Sequence, residues 1–150
     1  MKKLLYPILF AFVLHLQAAV LTPFSLEGLE AVNITVLGKD KLFDASFKQS
    51  LKTEVERKLH ALNIQTSSKN FSNFLIKVKI DKVDAKTLYH VTLSLVENTH
   101  ISRSKEVEAI AITYTKEDSF ESDAPKEDIK ESVLYLVDEF AEQYKDENTK

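Results

Sequence analysis

From Glu30 to Leu37 apolar and polar positions alternate. Val32, Ile34 and Val36 share one side; Ala31, Asn33 and Thr35 share the other. A two-residue period predicts a half-buried strand. Gly38-Lys39-Asp40-Lys41 closes it. The period then lengthens. Phe47, Leu51, Val55, Leu59 and Leu62 recur at three- or four-residue steps, the stripe of an amphipathic helix, while Lys48, Lys52, Glu56 and Lys58 fall outside it. Asp44 or Ser46 is placed to cap the helix. Asn63 suits a left-handed stop, after which Ile64 packs back on the helix end.

Thr66 to Asn73 is mostly polar and predicts a loop. Alternation returns as Phe74, Ile76, Val78 and Ile80 against Leu75, Lys77, Lys79 and Asp81. It repeats as Tyr89, Val91, Leu93 and Leu95 against His90, Thr92 and Ser94. The turn at Asp84-Ala85-Lys86-Thr87 makes these two strands a hairpin. Glu97 to Lys105 reads as a longer polar connection. Ile110, Ile112 and Tyr114 then alternate with Ala109, Ala111 and Thr113, predicting a fourth strand. Lys116 to Glu127 reads as an acidic loop. Pro125 suits a helix's first turn. Ile129, Val133, Leu136, Val137, Phe140 and Tyr144 stripe a closing helix, and Asp146 to Lys150 are expected to fray.

Together these segments predict one α+β domain over residues 20–150, in the order β-α-β-β-β-α. Its four-stranded, mostly antiparallel sheet carries both helices on one face. The side bearing Val32, Ile76, Val91 and Ile110 is expected to be the core side. No second domain or internal repeat is visible.

The first residues carry a different pattern. Met1-Lys2-Lys3 is a short positive start, Leu4 to Leu16 is an uncharged apolar run, and Gln17-Ala18-Ala19 brings small residues. This is the layout of a secretory signal peptide over residues 1–19, with the mature chain starting near Ala19 or Val20. The apolar run is shorter than the ~20 residues that a membrane span needs. The expected location is therefore the periplasm or the exterior, with no stable membrane span after cleavage.

Composition narrows the chemistry. The 150 residues include no cysteine and two glycines. A cysteine-free chain is no disulfide scaffold, zinc ribbon, thiol enzyme or lipoprotein acylated on cysteine. Two glycines do not furnish a glycine-rich phosphate cradle. Loss of Lys2 and Lys3 from 20 basic residues, against 23 acidic, leaves a mature net charge of −5. No basic excess remains to bind phosphates, so nucleic acid is not an expected partner. The acidity sits late: Lys116 to Lys150 carries a net −7.

No residue set nominates itself as catalytic, cofactor-binding or metal-binding. His60, His90 and His100 lack paired metal-ligand spacing. No Gly-x-Ser-x-Gly elbow is present. Two surfaces stand out instead. The sheet side opposite the core is expected to show Asn33, Thr35, Lys77, Lys79, His90, Thr92, Ser94, Ala109, Ala111 and Thr113, a face for a partner or for solvent. Glu117, Asp118, Glu121 and Asp123 crowd the acidic loop, a place for a cation or a basic partner. Their ordinary role is a favourable charge beside a helix N-terminus.

Val55-Glu56, Leu59, Leu62-Asn63-Ile64, Tyr89 to Leu95, Val133, Leu136 to Phe140 and Tyr144 resemble a group of small exported bacterial proteins of uncharacterised role. The resemblance implies export and this element order, and it implies no reaction. The two-helix, four-strand layout also looks like that of lipopolysaccharide-assembly accessory lipoproteins, whose lipid-bearing cysteine this chain lacks. The function expected is that of a small exported binding protein with a protein partner in the cell envelope, in the setting of envelope maintenance. A periplasmic metal-dependent or hydrolytic enzyme, and a carrier of a small apolar ligand, are the alternatives.

Overall fold

The strand and helix order follows the apolar periodicity along the chain. A computed structural model describes residues 25–67, 69, 71–101 and 103–149. The expected signal peptide and the lead-in before Ser25 lie outside the described residues. The elements are β1 (Asn33–Leu37), α1 (Ala45–Ala61), β2 (Ser72–Val83), β3 (Lys86–Ile101), β4 (Ser104–Glu121) and α2 (Pro125–Asn148). The strands form one sheet in the order β1-β2-β3-β4. β1 pairs with β2 in parallel, and β2, β3 and β4 form an antiparallel meander. The chain is thus α+β with the expected element order.

Local chemistry sets the helix limits. Asp44 caps α1, its carboxylate accepting the Phe47 amide at 2.8 Å. Asn63 sits at φ 63 and ends it, and the Ile64 amide folds back to the Leu59 carbonyl. Pro125 opens α2, where the missing amide costs no helical bond. Gly38 holds the turn after β1 for a steric reason. A Cβ there would stand 2.3 Å from the Phe43 ring, so the ring packs directly on the glycine backbone.

Both apolar stripes meet one face of the sheet. Leu51, Val55 and Leu59 of α1 and Ile129, Val133, Leu136, Val137 and Phe140 of α2 are buried. Opposite them lie Phe74, Ile76, Val91, Leu93 and Leu95, also buried. Phe140 is the keystone of this layer, meeting Phe74 and Tyr114 edge to face. The helices run in the same direction. Asp44 pairs with Lys126, Glu54 with Lys130, and Lys58 with Asp138, so both chains advance together along the contact.

Five expectations about the chain's course are corrected. The first strand is shorter than Glu30–Leu37, because before Asn33 only a single bridge joins Ala31 to Gln65. Glu97 to Lys105 is no long connection: β3 runs to Ile101 and turns at once into β4. The acidic loop does not exist as such, since β4 continues through Glu121 against β3. A charged edge strand is stable here because one side is paired and the other is wet. The C-terminal residues do not fray at Asp146, because the last turn of α2 is held. Glu147 accepts the Leu26 amide at 2.7 Å. Asn148 accepts the Gly28 amide at 2.9 Å and donates to the Leu26 carbonyl at 3.0 Å. Leu26 is fully buried beneath this clasp.

The fifth correction concerns β4's faces. The register slips between Leu95 and Val96: Tyr114 faces Leu95, whereas Ile112 faces Val96. Thr113 is the extra residue of a bulge, and a bulge reverses the alternation beyond it. Tyr114 stays buried, but Ile110 and Ile112 turn outward and are 67% and 64% exposed. Ile110, expected in the core, is therefore on the open face. Ala109, Ala111 and Thr113 turn to the helix side.

Candidate functional site

The strand register builds the uncovered face row by row. Asn33, Asn73, Val96 and Ile112 form one row; Thr35, Leu75, Ser94 and Thr115 form the next. Leu37, Lys77, Thr92 and Glu117 follow, and then Lys79, His90 and Ser119. Asn33, Thr35, Lys77, Lys79, His90, Thr92 and Ser94 thus share this surface as expected. Thr113 does not. Its hydroxyl donates to Glu97 at 2.7 Å, and Glu97 also accepts the Ser72 hydroxyl at 3.1 Å, on the helix side of the sheet.

The face has two chemical zones. At one end Val96 adjoins the exposed Ile112, with Ile110 next along the same edge strand, an apolar patch. Alternation alone placed these isoleucines in the core, and no sequence signal marks the bulge that expels them. Toward the other end the face is polar. The Ser94 and Thr115 hydroxyls meet at 3.1 Å. His90 Nδ1 lies 2.8 Å from the Ser119 hydroxyl, and its Nε2 lies 3.4 Å from Asp81.

Ser119, His90 and Asp81 therefore stand in hydroxyl–imidazole–carboxylate order. Acyl transfer needs more: a desolvated base, an orienting carboxylate and donors around a developing oxyanion. His90 and Asp81 are both more than a third exposed on a flat surface. Asp81 also takes the Lys79 ammonium at 2.6 Å, closer than the imidazole. Lys79, above all, holds the Asp81 carboxyl below its ordinary range. This is the chemistry of a solvated polar ladder across three strands.

The acidic residues are dispersed by β4. Glu117 faces the open side next to Thr92. Asp118, one position on, turns to the helix side and accepts the Ser119 amide at 2.8 Å. Glu121 pairs with Lys86 at 2.8 Å. Asp123 lies in the short turn before α2. His60 meets Thr66 at 3.0 Å, while His100 lies far along β3 near Glu108. Among the described residues, no group of three histidine or acidic side chains is placed to hold a metal ion. Nor is any helix among them long and apolar enough to cross a membrane.

A cleft of about 780 Å³ opens at the sheet end between the Ser25–Ala31 segment and the β3–β4 hairpin. Its walls include Glu27, Lys69, Glu97 and His100. A second cleft, of about 630 Å³, lies beside the end of β1 among Lys39, Lys48, Lys77 and Lys79. No protein-family model matches this chain, and no curated protein sequence matches it.

Proposed function

We propose that this chain is a small exported binding protein that acts through contact with a protein partner in the cell envelope. The carrying observation is the pair Ile110 and Ile112, 67% and 64% exposed on the uncovered sheet face. Ile112 stands beside Val96 and Ile110 beside Asn98, with Asn73 and Thr115 in the neighbouring positions of the face. An apolar centre with a polar rim is the anatomy of a protein contact surface. Export is supported by the Lys2-Lys3 start, the apolar run and Ala18-Ala19, and implies a periplasmic or secreted location.

The test is gentle crosslinking in intact cells, comparing the parent chain with Ile110→Asp/Ile112→Asp. The expected result is a specific protein adduct that the double variant loses while keeping its fold by circular dichroism. Adducts unchanged in the variant, or none in the parent, count against this reading. N-terminal sequencing of the cell-envelope fraction checks export; a mature start near Ala19 or Val20 is expected.

A further inference from the structure

The sheet has an unfinished edge. β1 pairs only with Asn73 to Lys77 of β2, ending at Leu37 opposite Lys77. β2 continues to Val83, and there its only partner among the described residues is β3, on the other side. Strand geometry aims alternate backbone groups of Val78–Val83 away from β3, leaving a template for another strand. At ~3.3 Å per residue this open flank is long enough for a short extended segment.

The flank is also charged and partly apolar. Leu37, Val78 and Ile80 contribute an apolar floor to the 630 Å³ cleft beside it. Leu37 and Val83, at its two ends, are 48% and 51% exposed. Four lysines and one carboxylate, Asp40, line the cleft, with lysines on both sides of the sheet plane. Lys77 and Lys79 belong to the open face, Lys48 comes from α1, and Lys39 from the turn between β1 and α1. Among the described residues no ion pair engages Lys39, Lys48 or Lys77. Edge lysines alone suppress sheet-to-sheet pairing. Here they frame an apolar cleft, in a protein whose formal charge is negative.

We propose that the Val78–Val83 flank of β2 captures an extended, acidic segment of a partner protein by strand addition. Its main chain continues the sheet beyond β1. Side chains alternate between faces along a strand, so its carboxylates share the open face and reach Lys77 and Lys79, while the apolar residues between them enter the cleft over Ile80; Lys39 and Lys48 add to the positive field around it. Backbone bonds supply affinity and the lysines supply selection. The proposal goes beyond the reading of the open face, because it concerns a different surface and the chemistry of its ligand.

The test uses the full chain with a labelled short peptide alternating glutamate and valine, and a lysine–valine counterpart. Binding is read by fluorescence anisotropy, and its location by amide hydrogen exchange. The glutamate peptide is expected to bind, to slow exchange at Val78–Val83, and to weaken as salt rises. Lys48→Glu/Lys77→Glu, folded by circular dichroism, is expected to weaken it by about tenfold or more. Absence of binding, equal binding of the lysine peptide, unchanged affinity in the double variant, or slowed exchange elsewhere overturns the proposal. So does anionic-lipid vesicle binding that displaces the peptide without protecting Val78–Val83. Ile110→Asp/Ile112→Asp is expected to bind the peptide as the parent does, so the two proposals fail separately.

Discussion

Phe140 meets Phe74 edge to face, with ring centroids 4.9 Å apart and planes at 81°. Both rings are fully buried, and Phe140 also abuts Tyr114 at 5.3 Å. One side chain from α2 thus ties β2 to β4 across the sheet. Phe140→Ala is expected to cost about 3–5 kcal/mol, from lost transfer energy plus the cavity. Chemical denaturation monitored by circular dichroism measures it; a loss below ~1 kcal/mol contradicts the keystone role.

Gly38 is required by contact, through the Phe43 ring. Gly38→Ala is expected to destabilise by about 1–3 kcal/mol, because the ring is confined and cannot swing away freely. Trimming the ring should relieve the clash. Gly38→Ala/Phe43→Leu is therefore expected to lose less than the sum of its single changes. Simple additivity in a double-mutant cycle refutes the steric account.

Tyr114 carries a buried hydroxyl with no hydrogen-bond partner among the described residues. Burial, then Glu139 and Glu147, push its ionisation well above the ordinary tyrosine range. Removing an unsatisfied buried hydroxyl removes a desolvation cost. Tyr114→Phe is expected to stabilise the fold by about 1 kcal/mol, read as a higher denaturant midpoint with an unchanged slope. A lower midpoint shows that the hydroxyl is satisfied.

Acid should loosen the helix pair first. Lys126 holds Asp44 below its ordinary range, and Lys130 does the same for Glu54. A carboxyl with a lowered folded value contributes stability above its unfolded value and loses it as pH falls to the folded one. Melting temperature is therefore expected to fall with acidification through and below the ordinary carboxylate range, beyond the fall seen in Lys126→Met/Lys130→Met. Parallel pH profiles for parent and variant contradict this assignment.

Periodicity carried the fold where one rule acted alone. The α1 and α2 stripes, the Asp44 cap and the Asn63 stop follow from local side-chain chemistry, and the structure repeats them. Strand limits were less legible because charge argues for loops wherever pairing is unseen. Glu117, Asp118 and Glu121 look like loop residues until β3 supplies the partner for their backbone. The faces of β4 were misread because a bulge is a matter of register between two strands. Nothing local to Ile110-Ala111-Ile112-Thr113 announces that Thr113 is the extra residue. Hence the polar half of the open face was readable and its apolar half was not.

The clasp between Leu26 and the end of α2 links groups 121 and 122 positions apart. A chain is made from its first residue to its last. The Leu26 amide and carbonyl must therefore wait for Glu147 and Asn148 before they are paired, however early the sheet assembles. A chain cut before Glu147 has every strand and both apolar stripes, yet its Leu26–Gly28 turn lacks these partners. Ordering of the Leu26–Gly28 turn thus reports that the last turn of α2 has formed.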